Sequence, residues 1–91
     1  MDERVKIALN NLVETSKGER LEVFNDGSIG FYVDKGRFGR FYRLAKYDSS
    51  NEEVEVSIYN NSNERMACNK WSKDGFLAAF LPGATDSQIA F

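Results

Sequence analysis

The chain has no histidine, one cysteine (Cys68), one proline (Pro82) and one tryptophan (Trp71) in 91 residues. Without histidine, the commonest general acid/base and the commonest metal ligand are both missing. Ser–His–Asp, Cys–His and HExxH arrangements cannot be assembled from one such chain. A single cysteine closes no intramolecular disulfide and makes no zinc site, and a small domain without a disulfide staple points to a reducing compartment. The longest apolar run is Phe76–Leu81, far short of the roughly 18 residues a membrane span needs. Met1-Asp2-Glu3-Arg4 is too polar and acidic to open a secretory signal, so the expected location is the cytoplasm. No Walker-type loop is present. Gly27 and Gly30 lead into a strand and Gly36 and Gly39 into a turn, so neither pair opens a helix as a phosphate cradle does.

What is present fits one small folded domain. Hydrophobic residues make up 42% and charged residues 29%, which excludes a disordered chain. Seven Phe, four Tyr and one Trp are a heavy aromatic load for a core of this size. A chain this long buries roughly 60–65% of the surface its unfolded form exposes, enough to fold alone with little surplus.

Hydrophobic spacing divides the chain. Val5, Ala8, Leu9, Leu12 and Val13 follow the i, i+3, i+4, i+7, i+8 pattern of an amphipathic helix over about 3–17. Asp2 is placed to cap it, and Gly18 to stop it. Period-2 alternation then predicts strands over about 20–25, 28–34, 38–47 and 52–60, with a fifth over 65–71. Asn25-Asp26-Gly27-Ser28 and Lys35-Gly36-Arg37 supply the turn chemistry between the first three. A short helix over about 74–81, halted by Pro82-Gly83, and an apolar tail from Asp86 to Phe91 complete the chain. The expected architecture is α+β, with the N-terminal helix packed on one face of a four- to five-stranded antiparallel meander.

Register arithmetic then assigns faces. A three-residue loop, Asp48-Ser49-Ser50, sets Leu44 opposite Val54, Tyr42 opposite Val56 and Arg40 opposite Ile58. The same register sets Arg43 opposite Glu55, Phe41 opposite Ser57 and Lys46 opposite Glu52. The predicted core face is then Leu21, Val23, Ile29, Phe31, Val33, Tyr42, Leu44, Val54, Val56 and Ile58. The second face carries Phe24, Tyr32, Phe41, Tyr47 and Tyr59 among Glu22, Arg43, Glu53 and Glu55. That face is too aromatic for a plain solvated surface and too charged for a dry core. Three readings stay open for it: a surface covered by Phe76–Phe91, a protein-binding surface, or a platform for stacking bases.

Charge is segregated along the chain. Residues 34–47 hold Lys35, Arg37, Arg40, Arg43 and Lys46 against Asp34 alone; residues 48–64 hold Asp48, Glu52, Glu53, Glu55 and Glu64 with no base. The basic, aromatic run from Arg37 to Arg43 is what phosphate neutralisation and base stacking require. Val33–Leu44, ending Gly39-Arg40-Phe41-Tyr42-Arg43-Leu44, is similar to a strand–turn–strand segment of the Pur family of single-strand binders, which implies base stacking on a curved sheet. The resemblance covers that stretch alone, and the N-terminal helix and acidic fourth strand depart from the family's pattern. Cross-strand pairing with the acidic strand would neutralise much of the basic run, leaving Arg37 and Arg40 available. Trp71 reads as a core anchor. Cys68 is the one conceivable nucleophile, with no base beside it in the sequence.

The expectation is therefore a non-enzymatic protein-binding module without cofactor or metal. It would inhibit or adapt a larger macromolecular machine, in the manner of phage or mobile-element anti-defence proteins such as anti-CRISPR or anti-restriction inhibitors. Its contact residues would be Asp48, Glu52, Glu53, Glu55, Tyr32, Phe41 and Tyr59. The alternative is a single-stranded nucleic-acid binder using Arg37, Arg40, Phe41 and Arg43. A free edge strand also offers pairing with a second copy.

Overall fold

The computed structural model describes residues 2–81. Helix α1 (Glu3–Thr15) leads into strands β1 (Glu19–Val23) and β2 (Ile29–Asp34). A 3-10 turn at Gly36–Phe38 precedes β3 (Arg40–Asp48), β4 (Glu53–Tyr59), β5 (Arg65–Ser72) and helix α2 (Lys73–Phe80). The five strands form one antiparallel sheet in the order β1-β2-β3-β4-β5. This is the α+β meander that the hydrophobic spacing predicts.

Each end of α1 has a local cause. Asp2 accepts a hydrogen bond from Arg4 N at 2.8 Å, and Ser16 closes the helix with its N–H on Leu12 O. Lys17, not Gly18, takes the left-handed conformation (φ 55). Gly18 serves another purpose: a Cβ there would stand 2.5 Å from Phe31 Cδ2 and 2.9 Å from Val13 Cγ1. α2 is capped by Ser72, whose Oγ accepts from Gly75 N at 3.1 Å.

One apolar stripe of α1 (Val5, Ala8, Leu9, Leu12, Val13) is buried with Ile29, Phe31, Val33, Ala45, Val54 and Val56 of the sheet. Phe76 and Leu77 of α2 join the same cluster, flanked by Tyr47, Trp71, Phe80 and Leu81. The two helices are further tied by Asn11 Nδ2 donating to Phe80 O at 2.7 Å and by Lys73 Nζ on Asp2 Oδ2 at 2.9 Å. Both helices therefore lie on the same side of the sheet. The α2 part of the expected cover, Phe76 to Leu81, therefore does not lie on the second face, and the rest of that segment, residues 82–91, lies outside the described residues. The expected docking of the tail from Asp86 to Phe91 falls outside the described residues.

β3 departs most from expectation. Tyr47 pairs with Val54 and Asp48 with Glu53, so β3 and β4 are joined by a four-residue loop, Ser49 to Glu52. Glu52 adopts φ 51, and the Asp48 carboxylate closes the turn by accepting from Ser50 N, Asn51 N and Asn51 Nδ2. The resulting register differs from the expected one by an odd number of residues, which turns β3 over. Arg43, Phe41, Ala45 and Tyr47 therefore lie on the helix side, while Tyr42 and Leu44, predicted to be core, lie on the open side. Ala45 is fully buried.

Leu21 and Val23 are also not core: they are 45% and 72% exposed. β1 is an edge strand whose register shifts between Glu19 and Glu22, with Arg20 at φ 55, and such a bulge bends a strand away from regular pairing.

Candidate functional site on the open face of the sheet

The face turned away from the helices carries an aromatic ladder. Tyr32, Tyr42 and Tyr59 stand in register on β2, β3 and β4. The Tyr32 and Tyr42 rings meet edge to face, centroids 5.0 Å apart at 62°; Tyr42 and Tyr59 lie 6.5 Å apart at 48°. Such pairs add roughly 0.5–1.5 kcal/mol each beyond the area they bury. Tyr42 lies across Gly30, where a Cβ would collide with its phenol ring. Burial pushes the Tyr42 hydroxyl's pKa up, with smaller pushes from the Glu22 carboxylate and from Tyr32.

Arg40, one step towards the hairpin tip, sets its guanidinium 5.9 Å from the Tyr32 ring centroid. The β4–β5 loop closes the other side: Tyr32, Arg40 and Tyr42 share a depression of about 220 Å3 with Asn60, Asn61 and Asn63. Asn60 is committed to the loop, its Oδ1 accepting from Ser62 N and Glu64 N. The side-chain amides of Asn61 and Asn63 and all three tyrosine hydroxyls make no hydrogen bond within the described residues.

Charges at the other end of this face are mixed. Glu55 stands between Lys46 of β3 and Lys70 of β5, with Arg65 Nη1 at 3.9 Å and Cys68 Sγ donating to its Oε1 at 3.4 Å. Asp48 faces Glu53 across the β3–β4 pair. Hydrogen bonds hold the Asp48 carboxyl below the usual carboxylate range, first from the Asn51 side chain and then from the Asn51 and Ser50 amides. Lys46, Asp48, Glu53, Glu55 and Lys70 thus surround a shallow, polar depression of about 390 Å3. Phe24 and Leu44 extend the apolar part of the face, around a further depression of about 420 Å3 that also takes in Lys46.

Of the predicted contact residues, Tyr32, Tyr59, Asp48, Glu53 and Glu55 share this face. Glu52 sits in the turn, and Phe41 on the helix side beside Val33. The predicted nucleic-acid set is split. Arg40 is on the open face, and Arg37 lies at the tip, its guanidinium 5.1 Å from the centroid of Phe38, a ring that is 72% exposed. Phe41 and Arg43 point to the helices. Trp71 is a core anchor, edge to face with Phe76 and Phe80 at 6.2 and 5.5 Å. Cys68 is exposed and has a carboxylate beside it, which its sequence neighbours do not show.

The residue that sequence reasoning missed is Tyr42, the centre of the ladder. Its signal was Gly30 on the neighbouring strand, a gap into which only a large ring from β3 could lie. Among the described residues, no group of three or more Cys, Asp or Glu side chains is arranged to hold a metal ion, and no helix is long and apolar enough to cross a membrane. Compared with known proteins, the chain matches no family model, no curated protein and no solved structure.

Proposed function

We propose that this chain is a non-enzymatic protein-binding module whose contact surface is the open face of the sheet, centred on Tyr32, Tyr42 and Tyr59. The observation that carries this reading is the ladder itself. Three half-buried tyrosines with unengaged hydroxyls, the Arg40 guanidinium and two free side-chain amides lie on a face that no described element covers. Tyrosine and arginine are enriched among interface residues that carry most of the binding energy. The mixed charges around Glu55 would form the polar rim of such a contact.

Inhibition or adaptation of a larger machine, of the anti-CRISPR or anti-restriction sort, is part of the proposal and rests on size and acidic balance alone. One version of it loses ground. An acidic β4 that occupies a nucleic-acid site would need unneutralised carboxylates, and Glu55 has Lys46, Lys70 and Arg65 around it. A second reading, single-strand binding on the ladder, is favoured by Arg40 over Tyr32, but the other arginine of the face, Arg65, is turned to Glu55 at 3.9 Å.

The test is affinity capture from the source cells with the wild-type chain and with Tyr32→Ala, Tyr59→Ala and Arg40→Glu. Captured protein and nucleic acid are both quantified. A specific protein partner retained by wild type should fall at least about tenfold with each variant, the range of a central interface contact. Capture that is indifferent to all three substitutions refutes the assignment. Retention of oligonucleotide alone, lost steeply as salt rises, replaces it with the second reading.

A further inference from the structure

On the opposite side of the sheet, one side chain is poorly explained by packing. Arg43 occupies the middle of β3, between Phe31 of β2 and Ile58 of β4, on the side that α1 covers. Its Nη1 donates to Ser16 Oγ at 3.0 Å, while its Nε is shut off from solvent and finds no acceptor. Among the described residues, no carboxylate forms an ion pair with it. A cation half withdrawn from water without a counter-charge is costly. Ser16 ends α1, whose last turn has no basic residue, so the helix dipole returns part of that cost. That single neutral acceptor serves Nη1 and leaves the buried Nε donor unanswered.

The space beside Arg43 has the composition of a ligand site. It lines a cleft of about 180 Å3 together with Leu12 of α1, Val56 and Ile58 of β4, Asn69 and Trp71 of β5, and Phe80 of α2. Apolar walls with one cation and one amide are what fix the orientation of a small amphiphilic molecule. One cation matches a monoanion better than a phosphate dianion, and the planar guanidinium fork matches a carboxylate. The cleft has room for a single ring or a short branched chain.

We propose that this cleft binds a small apolar carboxylic acid, its carboxylate on Arg43 beside the Asn69 amide and its hydrocarbon body against Leu12, Ile58, Trp71 and Phe80. The site lies across the sheet from the tyrosine ladder and stands independently of the function proposed for that face.

Trp71 is the only tryptophan in the chain, so its emission reports on this cleft alone. The probe is 3-phenylpropionate, with its neutral amide as control, titrated into the full chain. The acid should give a saturable change in emission with a dissociation constant on the order of 1 mM. The amide should bind at least about tenfold more weakly, the worth of a charge-assisted pair. Arg43→Met should lose the response by a similar factor while unfolding at the same temperature or higher, because replacing an unpaired buried cation by an apolar chain is often neutral or stabilising. Ile58→Phe fills the cleft, keeps Arg43 and should abolish the response too, so the proposal remains testable if Arg43→Met does not fold. An acid that leaves the emission unsaturated, an amide that binds equally, or an Ile58→Phe variant that responds like wild type overturns it.

Discussion

Asp2 illustrates how much one side chain at a helix end can join. Its carboxylate caps α1 through Arg4 N and reaches Lys73 Nζ, the first residue of α2, at 2.9 Å. The Lys73 hydrogen bond, then that from Arg4 N, lowers the Asp2 pKa from 3.8 to about 2. A carboxylate whose pKa is depressed on folding adds stability above its unfolded value and loses it as pH falls through the folded value. Lys73 is raised above 10.5 by the same bond, so its share is present below 10.5 and is lost as pH rises beyond it. Asn is as good a helix cap as Asp, so Asp2→Asn removes the charge and keeps the cap. The expected outcome is a wild-type advantage in thermal unfolding at neutral pH that closes as pH falls from 3.8 through about 2. An advantage that persists at the acid end of the series would show that Asp2 acts through its shape and not its charge.

At the scale of elements, β3 shows where alternation stops being informative. β2 has Ile29, Phe31 and Val33 on one side against Gly30, Tyr32 and Asp34 on the other, and β4 has Val54, Val56 and Ile58, so each has one plausible core face. β3 offers Tyr42 and Leu44 on one side, and Phe41, Ala45 and Tyr47 interrupted by Arg43 on the other. Two such faces differ little in hydrophobicity, so the loop decides. A three-residue loop leads to one face and the observed four-residue loop to the other. The last residue of the observed loop, Glu52, sits in the left-handed region, where glycine or asparagine would have signalled the turn and glutamate does not. Glu52→Gly is therefore expected to stabilise the chain by up to about 1 kcal/mol, the strain relieved less the added freedom of the unfolded chain. Chemical denaturation reads this as a higher midpoint with an unchanged slope. The same variant should leave partner capture intact, since Glu52 lies in the turn and off the ladder. A loss of capture would return Glu52 to the contact surface on which its charge alone had placed it.

At the scale of the molecule, a meander leaves two free edges. β1 is short, bulged and charged, features that discourage pairing. β5 is longer, and all of its residues but Trp71 are exposed. What guards it is charge: Arg65 and Lys70 lie on the open face, and an antiparallel copy of β5 would bring like charges together. The second copy that a free edge invites is thus opposed by these two cations. Arg65→Thr with Lys70→Val should make the chain self-associate as concentration rises, read by sedimentation equilibrium, while wild type stays monomeric over the same range. A wild-type dimer would place this edge in an interface and leave the tyrosine ladder exposed at its side.

Local chemistry was sufficient to determine the elements. The spacing of Val5 to Val13 made α1, alternation made β2 and β4, and the turn residues at 25–28 and 35–37 made the meander, because these choices depend on neighbours within a few residues. The absence of histidine and of a long apolar run likewise bears on chemistry whatever the fold. Tertiary structure decided the rest. Only the β3 register could put Tyr42 over Gly30 and between Tyr32 and Tyr59, and only α2's packing beside α1 keeps that helix off the face, which no described element covers. The same register carried Arg43 out of the basic run it shares in sequence and set it under α1 in an apolar cleft. An odd slip in one hairpin costs little locally and exchanges a strand's two faces, so pattern alone could name the aromatic and basic residues but not which of them would meet.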